Sequence, residues 1–95
     1  MDTSTIEEIK QALTYLKRKA EEDPGNPLYQ AQLAALFDLL HERTGDLQTL
    51  EQAIARYEEA LELTPEGHPN RPRLFDGLQA ALRALRERER LGGEK

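Results

Sequence analysis

The stretch AIARYEEALELTP, residues 53–65, indicates the fold class of this chain. Apolar residues here and just before it recur at the spacing of one helix face, and they are Leu47, Leu50, Ile54, Tyr57 and Leu61. Ala53 and Ala60 lie beside this stripe, and such small residues allow a second helix to approach closely. Pro65 follows the last apolar turn, where a helix commonly ends. The pattern predicts a helix over 47–63 with Asp46 as its N-terminal cap.

The next residues, TPEGHPNRP at 64–72, contain three prolines, a glycine and one of the two histidines. They predict a corner, with His68 as a hydrogen-bonding loop residue, followed by a helix over 71–90. That helix has one apolar side, formed by Leu74, Leu78, Leu82 and Leu85. Gly77 lies inside it at a cost of about 1 kcal/mol relative to alanine, which indicates either close packing or a weak point. Residues 91–95 are predicted to be a flexible tail.

Two further helices are predicted on the N-terminal side, over 6–22 and 28–43. The segment DPGNP at 23–27 separates them, and its asparagine and second proline suit the start of a helix. The helix over 28–43 is apolar on two sides, which is typical of a helix between neighbours. Its first apolar side contains Tyr29, Leu33, Leu36, Phe37 and Leu40, and its second contains Leu28, Ala31, Ala35 and Leu39.

The chain also matches itself, which indicates an internal repeat. The first predicted helix aligns with the third at an offset of 41 residues, which places Ile9 on Leu50 and Leu13 on Ile54. The second aligns with the fourth at an offset of 45, which places Leu33 on Leu78. We therefore predict one all-α domain of four antiparallel helices, arranged as two helical hairpins.

The repeat resembles the tetratricopeptide family. The stretch at 53–65 is similar to the second helix of a tetratricopeptide unit, with Ala53, Tyr57, Ala60, Leu61 and Pro65 at the matching positions. DPGNP resembles the corner between units. Two positions depart from the pattern, because Ala34 and Asp38 stand where an aromatic residue and a glycine are usual. The resemblance implies right-handed stacking, in which the second and fourth helices act as first helices of a unit.

The same resemblance implies a non-catalytic scaffold or protein-interaction module that holds a peptide or protein segment on its concave side. The residues that would contact the partner are Gln32, Leu39, Glu42, Arg43, Glu87 and Arg88. The alternative interpretation is that Leu39 is buried and that the charged residues are ordinary surface.

Catalytic chemistry has no candidate residues in the sequence, so we expect a protein that is not an enzyme. His41 and His68 are far apart and lack metal-ligand spacing, and the chain has no cysteine. Ser4 is the only serine and has no adjacent base, and no glycine-rich loop opens a helix. We therefore predict no catalytic residue, no metal and no cofactor.

The formal net charge of −5 disfavours nucleic acid or an anionic membrane as a partner. No apolar run approaches the roughly 20 residues that span a bilayer, and the polar N-terminus does not resemble a signal peptide. The expected location is cytoplasmic.

Two alternatives to a natural interaction module remain open. The first is an engineered helical protein without a natural ligand, which the absence of valine and the predominance of strong helix formers suggest. The second is a self-assembling homo-oligomer, because a short repeat array exposes apolar faces at its ends.

Overall fold

The computed structural model describes residues 3–93, and in this range it contains four α-helices and no strand. They are α1 (Thr3–Glu22), α2 (Pro27–Thr44), α3 (Leu47–Leu63) and α4 (Arg71–Gly93). The predicted all-α class is confirmed. Helix α1 begins earlier than predicted, and α4 continues to Gly93, so residues 91–93 of the predicted tail are helical here. Residues 94 and 95 of that tail lie outside the described range.

Local hydrogen bonds define the ends of the central helices. The Leu28 N–H donates to Asn26 Oδ1 over 2.9 Å, and Pro27 occupies the first turn of α2. Gly45 ends α2 in the left-handed conformation with φ of 71°, which glycine adopts without steric cost. The Gln48 N–H then donates to Asp46 Oδ1 over 3.0 Å. Both predicted N-terminal caps are confirmed.

The corner between α3 and α4 is closed by hydrogen bonds. The His68 N–H donates to the Pro65 carbonyl over 3.1 Å, and His68 Nδ1 accepts from the Asn70 N–H over 3.0 Å. Arg71 Nη1 donates to the carbonyls of Leu61 and Thr64, over 2.7 and 2.8 Å. The Thr64 N–H also donates to the Leu61 carbonyl over 3.3 Å, so Arg71 adds a charged donor at the end of α3, where carbonyls lack helical partners. His68 is a structural residue of the corner, as predicted.

Consecutive helices pack against one another, and their short connections make neighbours antiparallel. The α1–α2 and α3–α4 contacts are of nearly equal extent, whereas the α2–α3 contact between them is more extensive. Leu33 of α2 and Leu50 of α3 are the largest side chains that are fully buried. The remaining core side chains are Ile9, Leu13, Ala20, Ala34, Phe37, Leu40, Ala53, Ile54, Tyr57, Ala60, Leu74, Leu78 and Ala81.

Candidate functional site

Helices α2 and α4 approach each other at both ends. At their N-terminal ends, residues of both helices line one groove. At the other end, Arg88 Nη1 of α4 donates to the carbonyl of Gly45, directly after α2, over 3.0 Å. The two helices therefore run side by side in the same direction, and together they form one face, which we call the α2–α4 face.

The groove at the N-terminal end of this face has a volume of about 310 Å³. It is lined by Pro27, Leu28, Ala31, Thr64, His68, Asn70, Arg73 and Leu74. Leu28 is 54% exposed at its edge, whereas Leu74 is buried in its floor. No acidic residue lines it, although the chain as a whole carries a net charge of −5. The groove is thus mainly apolar, with the Arg73 guanidinium as its permanent cation.

The predicted partner-contacting residues occupy the same pair of helices but do not form one cluster. Five of them are exposed, namely Gln32, Glu42, Arg43, Glu87 and Arg88. Leu39 is half-buried and packs against the core, which agrees in part with the alternative interpretation that this side chain is buried. Gln32 precedes Glu42 by ten residues, or about 15 Å along the axis of α2. The charged members surround the C-terminal end of the face, where Glu87 pairs with Arg90.

Sequence reasoning did not assign the groove. It placed Leu28 and Ala31 on the second apolar side of the helix over 28–43, and this apolar side was the sequence feature that pointed to the groove. His68 and Arg73 gave no comparable signal, because their positions beside Leu28 depend on how α4 packs after the corner.

Tyr57 of α3 connects the two helices beneath the face. Its hydroxyl group lies near the carboxylate of Asp38 on α2, and each of the two groups affects the pKa of the other. Its ring lies so close to Gly77 of α4 that a Cβ atom there would be 2.7 Å from Tyr57 Cε1. Close packing is therefore the reason for the glycine inside α4, rather than a weak point.

The surroundings of Asp38 and Tyr57 shift the pKa values of both groups. Burial raises the pKa of Asp38, and the negative charge of Glu42 raises it further, while His41 and the Tyr57 hydroxyl act in the opposite direction. Burial also raises the pKa of Tyr57, and the charge of Asp38 adds to this effect. The ionised form of Asp38 is thus less favourable in the folded chain than in the unfolded one.

We expect Asp38→Asn to change how stability depends on pH. The pKa of Asp38 is higher in the folded chain than in the unfolded chain. At a pH between these two values, the folded chain retains a proton on Asp38 that the unfolded chain has released. The contribution of Asp38 to stability is therefore fully present below its unfolded pKa and is lost as pH rises through its folded pKa. Asparagine has a similar shape and no charge, so the variant should gain stability relative to the wild type as pH rises above about 4, the ordinary pKa of aspartate.

Urea denaturation at a series of pH values measures this gain. Asp76→Asn, at an exposed position of α4, is the matched control, and it should follow the wild type. A difference between Asp38→Asn and wild type that stays constant with pH would contradict the expectation.

Two other kinds of site are absent from residues 3–93. No helix in this range is long and apolar enough to cross a membrane. The same range contains no group of three or more histidine, aspartate or glutamate residues placed to hold a metal ion.

The fold and the α2–α4 face define an all-α protein with neighbouring helices packed in chain order. In comparisons with known proteins, no protein-family model, no curated protein and no solved structure matches the chain. The resemblance to tetratricopeptide repeats consequently stays a prediction that depends on the residues quoted above.

Proposed function

We propose that this chain is a non-catalytic interaction module, similar to tetratricopeptide proteins, that binds a polypeptide segment along the α2–α4 face. The groove between the N-terminal ends of α2 and α4 is the observation that carries this proposal. Its volume of about 310 Å³ lies at the small end of the range for ligand pockets, which suits one or two side chains of a peptide.

The chemistry of the face matches what a peptide requires. Leu28, Ala31 and Leu74 offer apolar surface to an apolar side chain, whose burial contributes about 25 cal/mol per Å². Farther along the face, the exposed charges around Glu42 and Arg88 are available for polar contacts. The face therefore offers an apolar contact at its N-terminal end and polar contacts at its C-terminal end, and protein interfaces combine both kinds of contact.

The predicted repeat supports the same face. In a tetratricopeptide unit the first helix lines the concave side, and the resemblance assigns that role to the second and fourth helices. These are α2 and α4, the two helices that form the groove.

Selection from a displayed library of random peptides tests the proposal. The immobilised chain is the bait, and Leu28→Glu is the variant against which the selected peptides are compared. Leu28 is 54% exposed, so the substitution should preserve the fold, which circular dichroism verifies. We expect the selected peptides to bind Leu28→Glu at least about tenfold more weakly than the wild type.

The matched control is Ala55→Glu, which adds the same charge at an exposed position of α3. It should leave peptide binding unchanged. The proposal is wrong if no peptide is enriched, or if the two glutamate variants affect binding equally.

A further inference from the structure

Two aromatic side chains lie largely in solvent on the two outermost helices. Tyr15 of α1 is 56% exposed, and Phe75 of α4 is 52% exposed. Aromatic side chains contribute large areas to cores and interfaces, so their exposure on both outer helices needs an explanation.

The internal repeat gives each of these residues an equivalent in the centre of the molecule. The offset of 41 residues places Tyr15 on Arg56 of α3, and the offset of 45 places Phe75 on Gln30 of α2. These two equivalents touch, because Arg56 Nη1 donates to Gln30 Oε1 over 3.0 Å. The exposed aromatic residues thus occupy the two positions that meet where α2 packs on α3.

Other residues of α2 and α3 are also more buried than their repeat equivalents on α4 and α1. Three α2 positions are buried, namely Gln30, Ala34 and Phe37, whereas their α4 equivalents Phe75, Gln79 and Leu82 are exposed or half-buried. On α3, Ala53 and Ala60 are fully buried, whereas their α1 equivalents Ala12 and Lys19 are half-buried. Not every pair of equivalent residues differs in this way, since Leu33 and Leu78 are both buried, and so are Ile9 and Leu50.

The extents of the helix contacts agree with this comparison. The α1–α2 and α3–α4 contacts are nearly equal, as expected of two repeats, and the more extensive α2–α3 contact joins them. Within residues 3–93, α4 has no following helix in the place that α3 takes beside α2. In the same described range, no helix packs on α1 in the place that α2 takes beside α3.

We infer that copies of this chain associate head to tail, with α1 of one copy packed on α4 of the next. The contact repeats the internal α2–α3 contact and brings Tyr15 of one copy against Phe75 of its neighbour. A depression of about 510 Å³, walled in part by Leu61 and Pro72, lies beside Phe75 and offers room for an aromatic ring. The surfaces in this contact are different, so the association is heterologous and open-ended.

Charge complementarity supports a second copy as the occupant of this surface. Arg86 is the equivalent of His41, whose Nδ1–H donates to the Asp46 carbonyl at the start of α3 over 2.9 Å. In the proposed contact, Arg86 therefore lies at the start of the neighbour's α1. Glu7 and Glu8 are exposed at this end of α1 and carry the charge opposite to that of the guanidinium.

Two single variants test the inference by complementation. Phe75→Glu blocks the α4 surface and leaves α1 intact, whereas Tyr15→Glu blocks α1 and leaves α4 intact. In sedimentation equilibrium up to about 1 mM, we expect the average mass of the wild type to rise beyond that of a dimer. Each variant alone should remain a monomer. An equimolar mixture of the two should form a dimer and stop there, because it contains one compatible pair of surfaces.

Leu28→Glu is the control for added charge, and it should assemble like the wild type because Leu28 lies in the groove of the α2–α4 face. Circular dichroism should show that all variants keep the helical fold, since the three substituted side chains are more than half exposed. A monomeric wild type would overturn the inference. Persistent association of either blocking variant alone, or a mixture that stays monomeric, would do the same.

Discussion

Replacing Leu33 with alanine is expected to lower the free energy of unfolding by about 3 kcal/mol. Leu33 of α2 is 0% exposed and lies within the core, so the substitution leaves a cavity in addition to removing buried apolar area. Domains of this size are stabilised by only about 5–15 kcal/mol, so the loss is a large fraction of the total. A shift of about 4–8 °C in melting temperature accompanies each kcal/mol in a small domain.

Leu28→Ala is the matched control, because it makes the same chemical change in the same helix at a side chain that is 54% exposed. It should change stability by no more than about 0.5 kcal/mol. Thermal and urea denaturation of both variants measure the difference. Equal losses at the two positions would show that α2 does not bury the side that the structure assigns to the core.

Replacing Gly77 with alanine is expected to destabilise the protein by about 1–3 kcal/mol. A glycine-to-alanine substitution in a helix interior usually stabilises a protein, because alanine is favoured there by about 1 kcal/mol, so the expected effect at Gly77 has the opposite sign. A Cβ atom at Gly77 would lie 2.7 Å from Tyr57 Cε1 and 2.8 Å from Cζ. The ring is poorly placed to move away, since it is buried within the core.

Gly92→Ala is the control for helix propensity, because a Cβ atom there would meet nothing within 4 Å. It should not destabilise the protein. A double-mutant cycle with Tyr57→Leu identifies the cause, since the cost of Gly77→Ala should decrease or change sign once the ring is absent. Urea denaturation gives all four stabilities, and a gain from Gly77→Ala in the wild-type background would contradict the predicted clash.

The two proposed interactions use different surfaces, so they can be tested separately. Leu74 is buried in the floor of the groove, whereas its neighbour Phe75 is 52% exposed beside a different depression. Consecutive residues of a helix point in different directions. We therefore expect Leu28→Glu to reduce peptide binding without affecting assembly, and Phe75→Glu to do the reverse.

The candidate site was only partly predictable. The proposal that α2 and α4 bind a partner depended on the repeat, and Leu28 and Ala31 were visible as part of an apolar side. The position of Arg73 beside Leu28 was not visible, because it depends on how the corner at 64–70 directs α4. Sequence position likewise could not show whether Leu39 was surface or core.

The sequence by itself determined where the two central helices lie, because the signals that delimit them act over a few residues. Asn26 and Asp46 cap the following helix through their own side chains, and Gly45 ends α2 through its freedom to adopt positive φ. These local interactions do not depend on how the rest of the chain packs.

Only the tertiary structure decided which side of α2 is core. Leu28 and Leu33 are the same residue type in the same helix, and α2 is apolar on two sides, so no local rule separates them. The reason for Gly77 also lies outside its helix, in a tyrosine of α3. Burial and close packing depend on neighbours that are distant in sequence, and these neighbours meet only when the helices pack.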